Sequence, residues 1–223
     1  MKYLIINADD FGNYSSVDKG IIEGIKRGVI TSTSVMVTRK HAAQAKDLLP
    51  FPNISIGLHF ELPKRETSPV EEFNKQLKIF GELVGKKPDH IDTHKVKSYE
   101  ITGFREFLDC YSKENKTPIR DWGYANLIDK FFALNFVDGS LDLDIISPAG
   151  LIKTLNQELK EGYNELMTHA GFVDEEVTAT AGYGKPREIE LQSLLSKEFQ
   201  DFLANNKDIK LVSWNDSSFF VLP

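Results

Sequence analysis

Short apolar runs recur along the chain, and most are separated by stretches whose apolar residues return at helical spacing. Tyr3–Ala8 predicts a first strand. Ser15–Arg27 puts Val17, Ile21, Ile22 and Ile25 on one helical face and meets a stop at Gly28. Thr31–Val37 is rich in β-branched side chains and predicts a second strand. Ala42–Leu49 predicts a short helix closed by Pro50 and Pro52. Ile54–Leu62 follows as a strand, Pro69–Val84 as a helix and His90–His94 as a short fourth strand. Glu106–Lys113 predicts a helix and Thr117–Asp121 a fifth strand. Residues 122–146 fit no single pattern, and Phe131–Val137 suits either type. Ser147–Glu161 reads as a helix, with Ser147 as its cap and Pro148 in its first turn. Asn164–His169 predicts a strand, Glu188–Asn205 one long amphipathic helix and Lys210–Trp214 a final strand.

This alternation, with no linker, predicts a single α/β domain over residues 1–223. A parallel barrel and an open doubly wound sheet both fit it. The open sheet usually carries a glycine-rich first βα turn, whereas here that turn is Asp9-Asp10-Phe11-Gly12-Asn13-Tyr14, which cannot cradle a pyrophosphate. The expectation is therefore an irregular (β/α) barrel with about seven or eight mostly parallel strands. No internal repeat is evident.

The first strand stops at two adjacent carboxylates, Asp9 and Asp10. His59, His94 and His169 each end a predicted strand as well. Parallel barrel strands all point the same way, so these residues converge on one rim. Two neighbouring carboxylates repel, and a cation is the simplest compensation. Asp10, His59 and His94 make a two-histidine, one-carboxylate set suited to one divalent metal ion, with positions left for water and substrate. Such an ion would acidify water and polarise an acyl oxygen. Asp9 is left to accept a proton and His169 to donate one. Adjacent strand residues face opposite ways, so the strand must end or twist for both aspartates to face inward. His90 and His41 read as structural. Phe11, Tyr14, Phe60, Trp122 and Tyr183 lie near the predicted rim, where aromatic rings can stack on the apolar face of a ligand.

Composition narrows the partners. A formal net charge of -6 argues against nucleic acid, which needs a clustered basic surface. The single cysteine, Cys110, excludes an intrachain disulfide, and its amphipathic setting predicts core packing. Tyr3–Ile6 is too short for a signal-peptide core, and no run approaches a membrane span, so the expectation is a cytoplasmic protein with no membrane partner. A homodimer is compatible with the sequence.

Asn7-Ala8-Asp9-Asp10-Phe11-Gly12, Gly20-Ile21-Ile22, Gly28 to Ser34, Gly57-Leu58-His59-Phe60 and Lys87 to His94 together resemble the YdjC-like carbohydrate deacetylases. The similarity resumes at Thr168-His169-Ala170-Gly171-Phe172, Arg187 and Glu190-Leu191. The resemblance implies an irregular barrel, metal binding by Asp10, His59 and His94, Asp9 as general base and His169 as general acid. It adds Arg187 as a residue that orients the base. It also implies an N-acetylated sugar substrate and names magnesium, whereas the imidazole ligands themselves suit Zn²⁺. The family's histidine-rich run after the metal histidine is replaced here by Lys95-Val96-Lys97, and its His-Pro pair by His169-Ala170. The leading expectation is metal-dependent removal of an acetyl group from an N-acetylated sugar. The rivals are a metal-dependent phosphoesterase on a similar barrel and a non-catalytic sugar- or metal-binding relative.

Overall fold

β1 (Lys2–Phe11) is the axis on which the other strands are laid. The computed structural model describes residues 1–62, 67–94, 103–134 and 138–216. Its other strands are β2 (Ser32–Val35), β3 (Ser55–Phe60), β4 (Ile91–Thr93), β5 (Asn126–Ile128), β6 (Gly162–Thr168) and β7 (Ile209–Leu211). They lie in the order β4-β3-β2-β1-β6-β5, with β7 also on β1, and every pairing among them is parallel. The sheet curls into a half-barrel. β6 runs along Lys2 to Ala8 of β1. The other edge of β1 is shared, with β7 on Lys2–Leu4 and β2 from Asn7 onward.

The period-two alternation of β1 sorts its side chains between two environments. Leu4, Ile6 and Ala8 enter the large core cluster, together with Val17, Ile21 and Ile25 of α1 (Ser15–Lys26). Ile5 packs instead with Trp214, Tyr163 and Tyr124. Above Ile5 on the same side, Asn7 and Asp9 meet Ser32, Ser34 and Ser55 in a buried polar network. Trp214 closes the base of this interior. Its ring stacks on His90 at 5.6 Å and its backbone N–H donates to Ser55 Oγ at 3.1 Å. His90 is fully buried and lies where a Cβ on Gly57 would be 2.3 Å from its ring.

The remaining helices are α2 (Pro69–Val84), α3 (Phe104–Asn115), α4 (Pro148–Glu158), α5 (Glu175–Thr180), α6 (Lys185–Leu195) and α7 (Lys197–Asn205). Several expectations need correction. The single helix expected over Glu188–Asn205 is two, because Ser196 takes an extended backbone and its hydroxyl caps α7 by accepting from the Phe199 N–H. The strand expected at Thr117–Asp121 is reduced to one bridge, Ile119 to Ile91, and the next strand is β5. The helix expected from Ala42 is a 3₁₀ helix over Ala42–Leu48. Cys110 is exposed, not in the core. Among the described residues of Phe131–Val137 a bridge at Leu134 is the one regular pairing, and residues 135–137 lie outside the described residues, as do Lys95, Val96 and Lys97.

One close approach matters for the site. A Cβ on Gly20 would sit 2.3 Å from the backbone nitrogen of Phe172, so α1 lies directly on the segment that follows β6. Alanine normally stabilises a helix interior relative to glycine. We expect the reverse for Gly20→Ala, a loss of about 1–3 kcal/mol from forced displacement of backbone. Thermal unfolding measures it, and a gain in stability would contradict the contact.

Candidate active site

Both aspartates at the end of β1 turn toward the interior because the backbone leaves strand geometry between them. Asp10 has φ 72°, in the left-handed region, and Gly12 follows at φ 92°. The register against β2 shifts between Ala8 and Phe11. Aspartate tolerates this conformation better than most residues, at a cost of about 1–2 kcal/mol. The turn is tied down by Asp18 of α1, whose Oδ1 accepts the Gly12 N–H at 2.7 Å.

Asp10 Oδ1 lies 3.3 Å from His59 Nε2 and 3.0 Å from His94 Nδ1, and the two nitrogens are 3.2 Å apart. This near-equilateral triangle has the edge length expected of ligands that share a cation at bonds of about 2.0–2.2 Å. Asp10 Oδ1 is buried and makes no hydrogen bond. His59 Nδ1 sits 2.6 Å from Asp92 Oδ1, so the carboxylate holds the ring with Nε2 turned to the triangle. These residues fit a divalent ion. Burial alone would lower the His59 pKa, but Asp92, Asp10 and Asp9 together raise it to about 10.

Asp9 stands outside that triangle. Arg120 donates to both of its oxygens at 2.8 Å, and Asn7 Nδ2 adds a bond of 2.7 Å. The same guanidinium reaches Asp92 at 2.9 Å and Glu165 at 2.8 Å. Burial pushes the Asp9 pKa up, yet Arg120 outweighs it and holds the carboxyl below its usual value. Glu165 goes the other way, raised by burial to about 7. The resemblance implied that Arg187 orients the base. Its guanidinium lies instead on Asp10 Oδ2, and the arginine on Asp9 is Arg120. Sequence reasoning missed Arg120, which follows the Ile119 bridge outside any strand. The only available signal was chemical, since inward-facing acids on three strands require a buried cation.

His169 follows the last residue of β6. Its Nδ1 has no partner, and burial lowers its pKa to about 4, so the ring is neutral at pH 7. It lines a cavity of about 830 Å³ together with Asp9, Asp10, His59, His94 and Arg187. Tyr183 and Phe132 form one wall, stacked at 4.5 Å with His169 beside them. Of the aromatic residues expected at the rim, Tyr14 and Tyr183 line the cavity, whereas Phe11 and Phe60 are fully buried in the core. Trp122 packs against Arg105 and bonds Asp109. Phe132 was not singled out, because it falls in the segment whose pattern was ambiguous.

The sequence profile described as YdjC-like protein matches residues 3–72 and 68–205. A carbohydrate deacetylase of Clostridium beijerinckii is 29% identical, over 96% of this chain and 99% of its own. A chitooligosaccharide deacetylase of Proteus mirabilis is also 29% identical, over 90% and 93% of the two chains. Among solved structures, an Enterococcus faecalis protein named for cellobiose-phosphate cleavage superposes with a TM-score of 0.74 at 23% identity, covering 96% of this chain and 97% of its own. A Bacillus cereus polysaccharide deacetylase superposes at 0.62 with 13% identity, over 98% and 94%. These structures share the fold. No helix of the described residues is long and apolar enough to cross a membrane.

Two outcomes follow from the electrostatics. Arg120→Met strands three buried carboxylates, and breaking such a network costs about 3–5 kcal/mol, readable as a lowered thermal midpoint at pH 7. Arg120→Lys keeps the charge but not the fork and should fall between. Zinc binding at the triangle should displace the proton held by His59, so affinity falls as pH falls. Calorimetry in buffers of different ionisation enthalpy checks this, and absence of proton release at pH 7 would remove His59 from the ligand set.

Proposed function

The chain belongs to the YdjC-like protein family, and on that premise we propose that it is a metal-dependent hydrolase removing the acetyl group from an N-acetylated sugar or short oligosaccharide. One observation carries the reading. The cavity floor holds two carboxylates in different settings, Asp10 within the histidine triangle and Asp9 beside it on Arg120. Relatives named as carbohydrate and chitooligosaccharide deacetylases support the substrate class.

Asp10, His59 and His94 would hold the ion, and Arg187 braces the other oxygen of Asp10. A divalent ion there would supply Lewis-acid chemistry, polarising an acyl oxygen and acidifying water. Two imidazoles and one carboxylate favour zinc or another transition ion over magnesium, which prefers oxygen.

The protein's own groups then handle the protons. Asp9 is anionic at neutral pH, and Arg120 and Asn7 fix its plane, so it accepts a proton from the attacking water at a carboxylate oxygen. His169 starts neutral, takes up a proton from solvent as negative charge builds beside it, and passes that proton to the departing nitrogen, while Asp9 returns the proton it accepted to solvent. An amine leaves poorly unless it is protonated, which is why the step needs an acid. Tyr183 and Phe132 offer an apolar wall to the sugar ring, and the cavity volume lies in the range of small-ligand sites, about 300–1,000 Å³.

A phosphoesterase reading is less well supported. Among the described residues, the three arginines that line the cavity are each paired with carboxylates, Arg39 with Glu61, Arg120 with Asp9 and Arg187 with Asp10. A binding protein would need neither Asp9 nor His169.

Acetate release from a panel of N-acetylated sugars, with and without added zinc, tests the reading. Asp9→Asn should retain the metal and lose about 10²–10⁴-fold in turnover, whereas Asp10→Asn should lose the metal. Metal loss in Asp9→Asn with retention in Asp10→Asn would reverse the two assignments. Wild-type protein that releases no acetate from any of the panel would overturn the function.

A further inference from the structure

Glu190 of α6 is fully buried, and each of its carboxylate oxygens receives one short hydrogen bond. Oε2 accepts the backbone N–H of His169 at 2.6 Å, and Oε1 accepts the hydroxyl of Tyr183 at 2.6 Å. The last registered pair between β1 and β6 is Ala8 with Thr168, so the His169 N–H lies beyond the ladder and needs another acceptor. One helical turn earlier on α6, Arg187 donates to the His169 carbonyl at 3.3 Å. Both backbone polar groups of His169 are thus held by side chains of one helix. The Tyr183 hydroxyl, while donating to Glu190, accepts the Ala133 N–H at 2.8 Å, and its ring stacks on Phe132. Glu190 therefore joins β6, the loop after β5 and the segment before α6 around one side of the cavity.

We propose that Glu190 is a positioning residue that locks His169 and the Tyr183–Phe132 wall into one unit, so that the acid and the sugar-facing surface keep a fixed relation. This rests on the deacetylase reading and adds to it a residue that touches neither metal ligand nor substrate. The requirement is an acceptor facing the His169 N–H, more than a charge. Burial pushes the Glu190 carboxyl up to about 8, against the pull of its bonds to Tyr183 and His169. Glutamine, whose carbonyl can face His169, should then largely substitute, and methionine, of similar length with no acceptor, should not.

The test compares kcat/KM on an N-acetylated sugar with kcat/KM on nitrophenyl acetate, whose leaving group needs no acid. Glu190→Met should lose about 10- to 100-fold on the sugar, the usual penalty for removing a group that orients a working side chain, and little on the ester. Glu190→Gln should restore most of the loss. In a His169→Ala background Glu190→Met should add almost nothing to the loss of kcat on the sugar, because the two act through the same step, leaving only the KM cost of the released wall. Equal losses on both substrates, or full additivity with His169→Ala, would make Glu190 a purely structural residue and overturn the proposal. Should Glu190→Met not fold, Tyr183→Phe carries the comparison with a smaller loss of the same selectivity, and equal losses there count against it likewise. Failure of the underlying reading looks different, since the wild type would then release no acetate and His169→Ala would not discriminate between the substrates.

Discussion

The crowding of carboxylates at one end of a curled sheet is the constraint around which this protein is arranged. Asp9, Asp10, Asp92, Glu165 and Glu190 are all buried there. Burial alone would force most of them to take up protons. Arg120 and Arg187, placed among them, hold Asp9, Asp10 and Asp92 below the usual carboxylate range. Glu165 and Glu190, less fully compensated, rise to about 7 and about 8. Three firm anions against two guanidinium groups leave one negative charge. A proton on His59 balances it, so the charge deficit falls at the triangle of Asp10, His59 and His94.

That balance relies on a backbone irregularity. A regular strand would send Asp9 and Asp10 to opposite faces, one to the cavity and one under the helices. The left-handed turn at Asp10 brings the second carboxylate round to the same side, and Gly12 and Asp18 hold the turn in place. Strain of this kind persists where its surroundings over-determine it. Here the surroundings are the Arg187 contact and the two histidines on either side. The inward-facing serines and Asn7 continue the same logic downward, through hydrogen bonds from Trp214 to Ser55, Ser32, Asn7 and finally Asp9. Each donor in that series is committed, so the amide of Asn7 has one orientation available, with its NH₂ toward Asp9.

Strand-end residues were legible because a parallel sheet turns one-dimensional order into spatial convergence. Asp9, Asp10, His59, His94 and His169 lie at or just beyond the ends of four strands and reach one cavity, as their positions at the ends of apolar runs predicted. Helix boundaries were legible where a cap or a proline announced them, at Ser147-Pro148 and at Pro69. The break at Ser196 was not, since an extended serine inside an amphipathic pattern leaves the apolar spacing intact. Phe11 and Phe60 looked like rim residues because each follows a site residue, yet alternation carries Phe60 into the core and the left-handed turn at Asp10 sends Phe11 there too.

The sequence by itself determined most of the strands, their parallel course and which side chains their ends present, because local periodicity and backbone chemistry carry that information; β5, which replaces the strand expected at Thr117–Asp121, was not among them. Only the tertiary structure decided how the charges are partnered. Arg120 lies 111 residues from Asp9 and Arg187 lies 177 from Asp10, and nothing in either local pattern distinguishes a buried arginine from a solvated one. The choice of Glu190 as the acceptor behind His169 belongs to the same class. Each is settled by which groups the curled sheet and α6 bring within hydrogen-bonding distance where water is excluded, and unpaired charge there is too costly to remain.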